Sequence, residues 1–390
     1  MKIFFLTWKS FGNEDVIDAF RKEGHEVVEF AYSDKDEPDD AAAVAKMTRQ
    51  IRQAAADCVF SFNYFPVVAL ACKELGMPYL SWIYDSPYVR IYHYSIAYPT
   101  NYVFVFDSSI YLEFHNAGIR TVHFLPMAAN TERLNAMADF KAFQKTGWYN
   151  THEVAFIGSL YTEAHNFYDR LTRIRDYTRG YLEGLMAAQK QVYGYNFVQE
   201  TLKAHPELIE DMRQFLPMTP GHDSVESVEY LFAQYVINRQ ITAMERKELL
   251  GEAAERFGLD LYTPDQDFRM KGCTNHGKVD YYDMAPYVFK TAKINLNISL
   301  RSILAGMPLR AFDIMGAGGF LLTNFQPDFL EFFVPGEDFV YFESRVDLMD
   351  KIAYYLAHEE ERRQIAENGH RKIEEQHTYR HRVREMLSCL

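Results

Sequence analysis

Residues 294–323 read INLNISLRSILAGMPLRAFDIMGAGGFLLT, and this run holds one complete repeat of an α/β sheet. Ile294-Asn295-Leu296-Asn297-Ile298-Ser299 reads as a buried strand, and Phe320-Leu321-Leu322-Thr323 as the next one. Between them, Ala311-Phe312-Asp313-Ile314-Met315 reads as a helix closed by Gly316-Ala317-Gly318-Gly319. A strand, a crossover helix and a second strand imply parallel pairing, since only a crossover can bring the chain back to the same end of the sheet.

The same alternation extends outward in both directions. Downstream, a strand is expected at 339–342 and a helix at 346–358. Upstream lie a helix at 282–293, a strand at 259–262, and the run Glu153-Val154-Ala155-Phe156-Ile157, which ends in Gly158-Ser159. A long Glu-, Arg-, Leu- and Tyr-rich stretch over 162–257, broken near 217–223, reads as a helical insertion. The first third gives strands at 2–8, 26–32, 58–62, 78–84, 102–106 and 121–125, separated by helices and, at 33–40, by an acidic loop. At 390 residues the chain exceeds one ordinary core. The expected architecture is α/β, with two Rossmann-like domains, 1–145 and 146–378, facing across a cleft and joined near 140–151. A last helix, 379–390, is expected to cross back to the first domain.

Composition narrows the function. The 41 Lys+Arg against 54 Asp+Glu leave a net charge of -13, with no long basic stripe, which argues against a nucleic-acid surface. Cys58, Cys72, Cys273 and Cys389 form no C-x-x-C pair, so neither a zinc site nor a disulfide framework is indicated. The apolar run after Lys2 is too short for a secretory signal, and no stretch approaches the length of a membrane span. A cytoplasmic protein is expected. Aromatic residues are 15% of the chain, enough to fill cores and also to line a sugar-binding surface.

In open parallel sheets, ligands gather beyond the carboxyl ends of the strands, where helix N-termini attract phosphate. Gly158 and Ser159 follow one such strand and would expose backbone N–H groups. Arg301 and Arg310 lie in the loop after 294–299 and would grip a diphosphate, or would form ordinary salt bridges with Asp313 or Asp283. Asp313, near the start of the following helix, would hold a ribose or complement the helix dipole. Gly318-Gly319 would let backbone approach closely, or simply cap the helix. His276, in Gly272-Cys273-Thr274-Asn275-His276-Gly277, would touch a base or phosphate. In the first domain, Asp85 ends the run Trp82-Ile83-Tyr84-Asp85-Ser86-Pro87, as a candidate general base or as a turn cap. Trp82, Tyr84 and Tyr88 would form an acceptor platform, or core and rim. Asp265-Gln266-Asp267 follows a strand of the second half beside Pro264 and reads as a surface loop rather than a metal motif.

The run Gly306–Gly319 resembles the donor-site signature of the CgeB-type, spore-maturation-protein-like glycosyltransferases, which have the GT-B fold. Three other segments resemble the same family: Tyr79-Leu80-Ser81-Trp82-Ile83-Tyr84-Asp85-Ser86-Pro87, Leu125-Pro126-Met127-Ala128-Ala129-Asn130, and His377-Thr378-Tyr379-Arg380-His381-Arg382-Val383. The resemblance implies a nucleotide-sugar donor on the C-terminal domain and an acceptor on the N-terminal one. Similar retaining enzymes hold the ribose with a Glu where this chain has Asp313. They carry an earlier Glu where it has Ala305 and Gly306.

The expected activity is therefore metal-independent transfer of a hexose-type group to an acceptor. The donor is a nucleotide diphosphate sugar, UDP-sugar foremost, and no further cofactor is required. A glycan, a protein or a small molecule would serve as acceptor. A nucleotide-sugar epimerase or hydrolase, or a non-catalytic binding protein on the same fold, are the alternatives.

Overall fold

The computed structural model describes residues 1–33, 40–137, 150–162 and 166–390. Among these, the strands form two six-stranded sheets in which every paired neighbour runs parallel. The first holds β1 (Lys2–Thr7), β2 (Glu26–Ala31), β3 (Cys58–Phe62), β4 (Tyr79–Ile83), β5 (Asn101–Val105) and β6 (Val122–Phe124), in the order β2-β1-β3-β4-β5-β6. Its central strands β3 and β4 are buried at every residue, whereas the edge strand β2 alternates. That contrast is what helices on both faces impose: inner strands are covered on both sides, and in these two only Ser61 and Ser81 interrupt the largely apolar runs.

The second sheet holds β7 (Val154–Ile157), β8 (Leu259–Tyr262), β9 (Cys273–Asn275), β10 (Ile294–Asn297), β11 (Leu321–Asn324) and β12 (Val340–Phe342), in the order β12-β11-β10-β7-β8-β9. From β7 the chain winds outward through β8 and β9, then returns to place β10 on the other side of β7. The order reverses between β7 and β10, and a crevice opens beyond the carboxyl ends of those two strands. The sequence reading has no strand at β9. Its three residues lie between Gly272 and Gly277, too few to show a period of two.

The chain divides into two compact units. One comprises Met1–Ala128, Pro220–Glu226 and His377–Leu390; the other comprises Ala129–Thr219 and Ser227–Gln376. The acidic loop and the expected linker fall almost wholly outside the described residues, as does the 145/146 boundary. The last helix, Tyr379–Leu387, packs within the first unit. Arg382 donates from Nε to the Pro126 carbonyl at 2.9 Å, Arg380 and Arg384 both reach Glu23 at 2.7 Å, and the Tyr379 ring lies 5.9 Å from Trp82. The short segment Pro220–Glu226, read from sequence as a break in the insertion, also belongs here. Tyr94 donates to the Asp223 carbonyl at 2.9 Å, and Val225 to the Tyr92 carbonyl at 3.0 Å.

The insertion has its own apolar core, built from Leu182, Met186, Val198, Leu202, Phe232 and Ile241 among others. Its last helix, Asn238–Phe257, continues from a π-helical turn, Phe232–Ile237. Arg301 ties this region to the loop after β10. Its guanidinium donates to both oxygens of Glu245, at 2.8 and 2.6 Å, and to the carbonyls of Val192 and Lys190, while stacking 4.1 Å over Tyr193. Every one of these groups is a protein partner, so the Arg301 side chain is occupied by the fold itself.

Both side chains of the pair are under a tenth exposed. Removing the carboxylate leaves a buried charge without compensation, which costs about 3–5 kcal/mol. Glu245→Ala should therefore lower the urea unfolding free energy by about that amount. A change within the ordinary surface range, about 0.5 kcal/mol, would show the pair to be weaker than its geometry implies.

Candidate functional site

The crevice at the β7/β10 reversal is lined by chemistry suited to an anion. β7 ends in Phe156-Ile157, and Gly158 comes next, its N–H donating to the Tyr262 carbonyl at 2.9 Å. A side chain could not stand at Gly158: a Cβ there would lie 2.7 Å from Nη2 of Arg310. Glycine at this position is thus what admits the guanidinium against the strand end. Arg310 is the second residue of the helix Leu309–Gly316, and its Nη1 donates to Oδ1 of Asn297, the last residue of β10, at 2.9 Å. Its guanidinium carbon lies 5.2 Å from the Phe156 ring centre.

A second cation shares that ring. Arg246, on the helix Asn238–Phe257, lies 5.2 Å from the centre of Phe156 and 4.9 Å from that of Tyr161. It donates from Nε to the Ile298 carbonyl at 3.0 Å and also bonds the carbonyl of Ser159. Burial works against the charged form of Arg310, and the like charge of Arg246 adds to that penalty, partly offset by Tyr161 and Asp313. Among the described residues, no salt bridge joins Arg310 to a carboxylate. The Arg246 charge thus raises the cost of keeping Arg310 cationic. An oxygen-rich dianion would relieve the repulsion and use the remaining N–H donors.

Asp313 follows Arg310 by one helical turn, is 7% exposed, and accepts from the Tyr281 hydroxyl at 3.0 Å. Gly318 and Gly319 are not brought to this crevice. The helix that begins at Leu309 spans about 12 Å, and they lie beyond its far end, where the chain enters β11 from its amino end. There Gly318 donates to Met315 and Gly319 to Ile314, closing the helix. A Cβ on Gly319 would meet the Phe289 carbonyl at 2.5 Å, so close packing requires the glycine.

His276 follows β9 and lies flat on Tyr262, ring centres 4.7 Å apart and planes inclined by 13°. Its Nε2 contacts Oδ1 of the buried Asp260 at 2.8 Å. A carboxylate can only accept, so Nε2 carries the proton. Asp260 is held in turn by the His152 N–H at 2.8 Å. This gives a rigid aromatic shelf at the ends of β8 and β9, on the side of β7 away from Arg310.

In the first unit, the residues after β1, β3 and β4 form an aromatic and acidic group of their own. Asn63, in the left-handed conformation at φ +58°, accepts the N–H groups of Tyr84 and Asp85 on Oδ1 and donates from Nδ2 to Asp85 Oδ2 at 2.7 Å. Burial raises the Asp85 pKa above the usual carboxylate range, and the Asn63 hydrogen bond only partly offsets it. Tyr84 stacks 6.0 Å from Trp8, and the Tyr88 hydroxyl donates to the Tyr64 carbonyl at 2.7 Å. Trp82 differs from its neighbours. It is fully buried against Phe62 and Tyr379, so it belongs to the core and not to a platform.

Arg246, Tyr161 and Asn297 were missed as site residues by the sequence reading. Arg246 sits in a helix whose composition reads as a solvated face, and only the tertiary fold brings it to β7. Asn297 carried a signal: a polar residue last in a buried strand, facing a loop with two arginines.

A comparison of the sequence with curated proteins returns no match. Residues 239–388 match the model of a family described as glycosyl transferase-like. Solved structures resemble the whole chain at low identity. Anabaena HepE in complex with UDP-glucose aligns with a TM-score of 0.59 at 12% identity, covering 100% of both chains. A sucrose-phosphate synthase from Thermosynechococcus elongatus gives 0.53 at 10%, covering 100% of this chain and 98% of its own. A glycosyltransferase from Rickettsia africae gives 0.52 at 10%, covering 100% and 97%. At these identities the likeness establishes architecture: two parallel sheets with flanking helices, in the arrangement of the GT-B fold.

Proposed function

We propose that the chain is a glycosyltransferase that moves a sugar, of hexose type, from a nucleotide diphosphate sugar to an acceptor. The observation that carries this reading is the pair Arg310 and Arg246 over Phe156, at the strand-order reversal of the second sheet. A diphosphate leaving group gains negative charge as the glycosidic bond breaks. Preorganised guanidinium donors aimed at that charge stabilise the transition state more than the ground state. Such a site needs no metal, because two fixed cations already oppose the diphosphate.

In this reading the diphosphate lies against Arg310, Arg246 and the backbone at Gly158 and Ser159. Asp313 holds the ribose, and its charge favours the cationic form of Arg310 from one turn on. The base rests on the shelf of His276 and Tyr262; uracil is the first candidate, since UDP-glucose is bound by HepE. Arg301, whose donors are used within the fold, has no part. The acceptor is assigned to the first unit, with Asp85 as general base and Tyr84 and Tyr88 as ring contacts. A half-buried carboxylate whose pKa is raised by desolvation is the better base near neutral pH. The match over 239–388 supports the transferase class, and the motifs at 79–87, 125–130 and 306–319 favour the CgeB-type branch. No described helix is long and apolar enough to cross a membrane. The four free cysteines, two of them buried, suit the reducing cytoplasm assigned here.

Two measurements test the reading. In a thermal-shift screen against uridine, guanosine and thymidine diphosphates, one should raise the midpoint by mass action. Arg310→Ala should weaken the affinity for that nucleotide by about a hundredfold, a loss of about 2.7 kcal/mol, and leave the ligand-free melt unchanged. Undiminished affinity would remove Arg310 from the site, and turnover of the donor to an epimer without acceptor would replace transfer by epimerisation.

The pH profile bears on Asp85. A base must be ionised, so kcat/KM should fall as pH drops through the Asp85 pKa, with its acid limb above the usual carboxylate range. Asp85→Asn should cost about 100-fold or more and abolish that limb. A limb that survives the substitution would assign the base elsewhere.

A further inference from the structure

Tyr161, in the turn after β7, has a φ of +57°. For a bulky residue this left-handed conformation crowds Cβ against the backbone, and it persists only where the surroundings impose it. The Tyr161 N–H donates to Oγ of Ser159 at 2.9 Å, which closes the turn, and two cations lie against the ring. The guanidinium carbons of Arg239 and Arg246 each lie 4.9 Å from the centre of the Tyr161 ring. These arginines are seven residues apart on the helix Asn238–Phe257, two turns, and so project from one face. That helix enters through the π-helical turn Phe232–Ile237, a feature that re-aims the side chains beyond it and recurs at functional sites.

Polar bonding does not hold the ring in place. Among the described residues, the Tyr161 hydroxyl makes no hydrogen bond, and the half-buried Arg239 makes no hydrogen bond or ion pair; the ring is its only contact of this kind. Tyr161 also lies within electrostatic reach of Arg310. Two guanidinium groups therefore touch the Tyr161 ring, and the third, Arg310, lies against Gly158 three residues earlier in the same turn.

We propose that Tyr161 is the positioning residue of the anion site, its ring bracing Arg239 and Arg246 beside Arg310 so that all three face one nucleoside diphosphate. This rests on the donor-site reading above. The ring face carries negative charge density and attracts each cation, which holds the long side chains in place before the ligand arrives. Arg239 thereby joins the site as a third cation, supplied by the helical insertion and not by the sheet.

The test uses the full chain with Tyr161→Gly and Tyr161→Phe. Affinity for uridine, guanosine and thymidine diphosphates is measured by calorimetry, and ligand-free stability by urea unfolding. Glycine relieves the left-handed strain but removes the brace. Tyr161→Gly should thus be as stable as the parent or more so, yet bind the preferred nucleotide about tenfold more weakly. Tyr161→Phe keeps the ring and should bind within about twofold of the parent. Parent-like affinity in Tyr161→Gly, or equal weakening in Tyr161→Phe, overturns the proposal. So does a ligand-free Tyr161→Gly chain less stable than the parent, which would make the ring a packing residue. If the parent binds none of the three nucleotides, the donor-site reading falls and takes this one with it. Binding lost in Arg310→Ala but kept in Tyr161→Gly removes Tyr161 alone.

Discussion

Like charges gather at a cost, and the second unit holds Arg310 and Arg246 together over Phe156 at the end of β7. Gly158 is glycine because the Arg310 guanidinium occupies the space of a side chain. Asn297 ends its strand with an oxygen turned to Arg310. Arg246 is fixed by the carbonyls of Ile298 and Ser159, which are neutral groups. The Asn297 contact orients Arg310 without cancelling its charge, which suits the proposed anion site.

Arg301 puts the same residue type to a different use. Nine residues before Arg310 in sequence, it meets Glu245 with both carboxylate oxygens and fills its other donors with carbonyls. A closed pair of that kind fastens the helical region to the sheet. Arg310 is bonded to an amide oxygen and, among the described residues, to no carboxylate.

Much of the architecture was legible because it rests on pattern. Eleven of the twelve described strands come from apolar runs ended by turn residues, and β9 escaped because three residues carry no period. The loop before the helix Leu309–Gly316 was legible as a strand-to-helix connection carrying two arginines, of which Arg301 pairs with Glu245 and Arg310 reaches the strand end. The part that was not legible is non-local. Arg239 and Arg246 lie some 80 residues from the Tyr161 turn that they contact, in the stretch read as a helical insertion. Trp82 reads as acceptor platform or as core, and the fold gives it the second place, paired with Phe62 across β3 and β4 with ring centres 5.6 Å apart. Gly318-Gly319 matched a family motif as a string, but its place at the amino end of β11 gives it a packing role.

A crystal structure of the chain with uridine diphosphate would report directly where the diphosphate lies. Phosphate oxygens are expected within hydrogen-bonding distance, about 2.7–3.1 Å, of both Arg310 and Arg246, with the Gly158 turn alongside. Density for the nucleotide elsewhere, with no phosphate oxygen against either guanidinium, would contradict that placement.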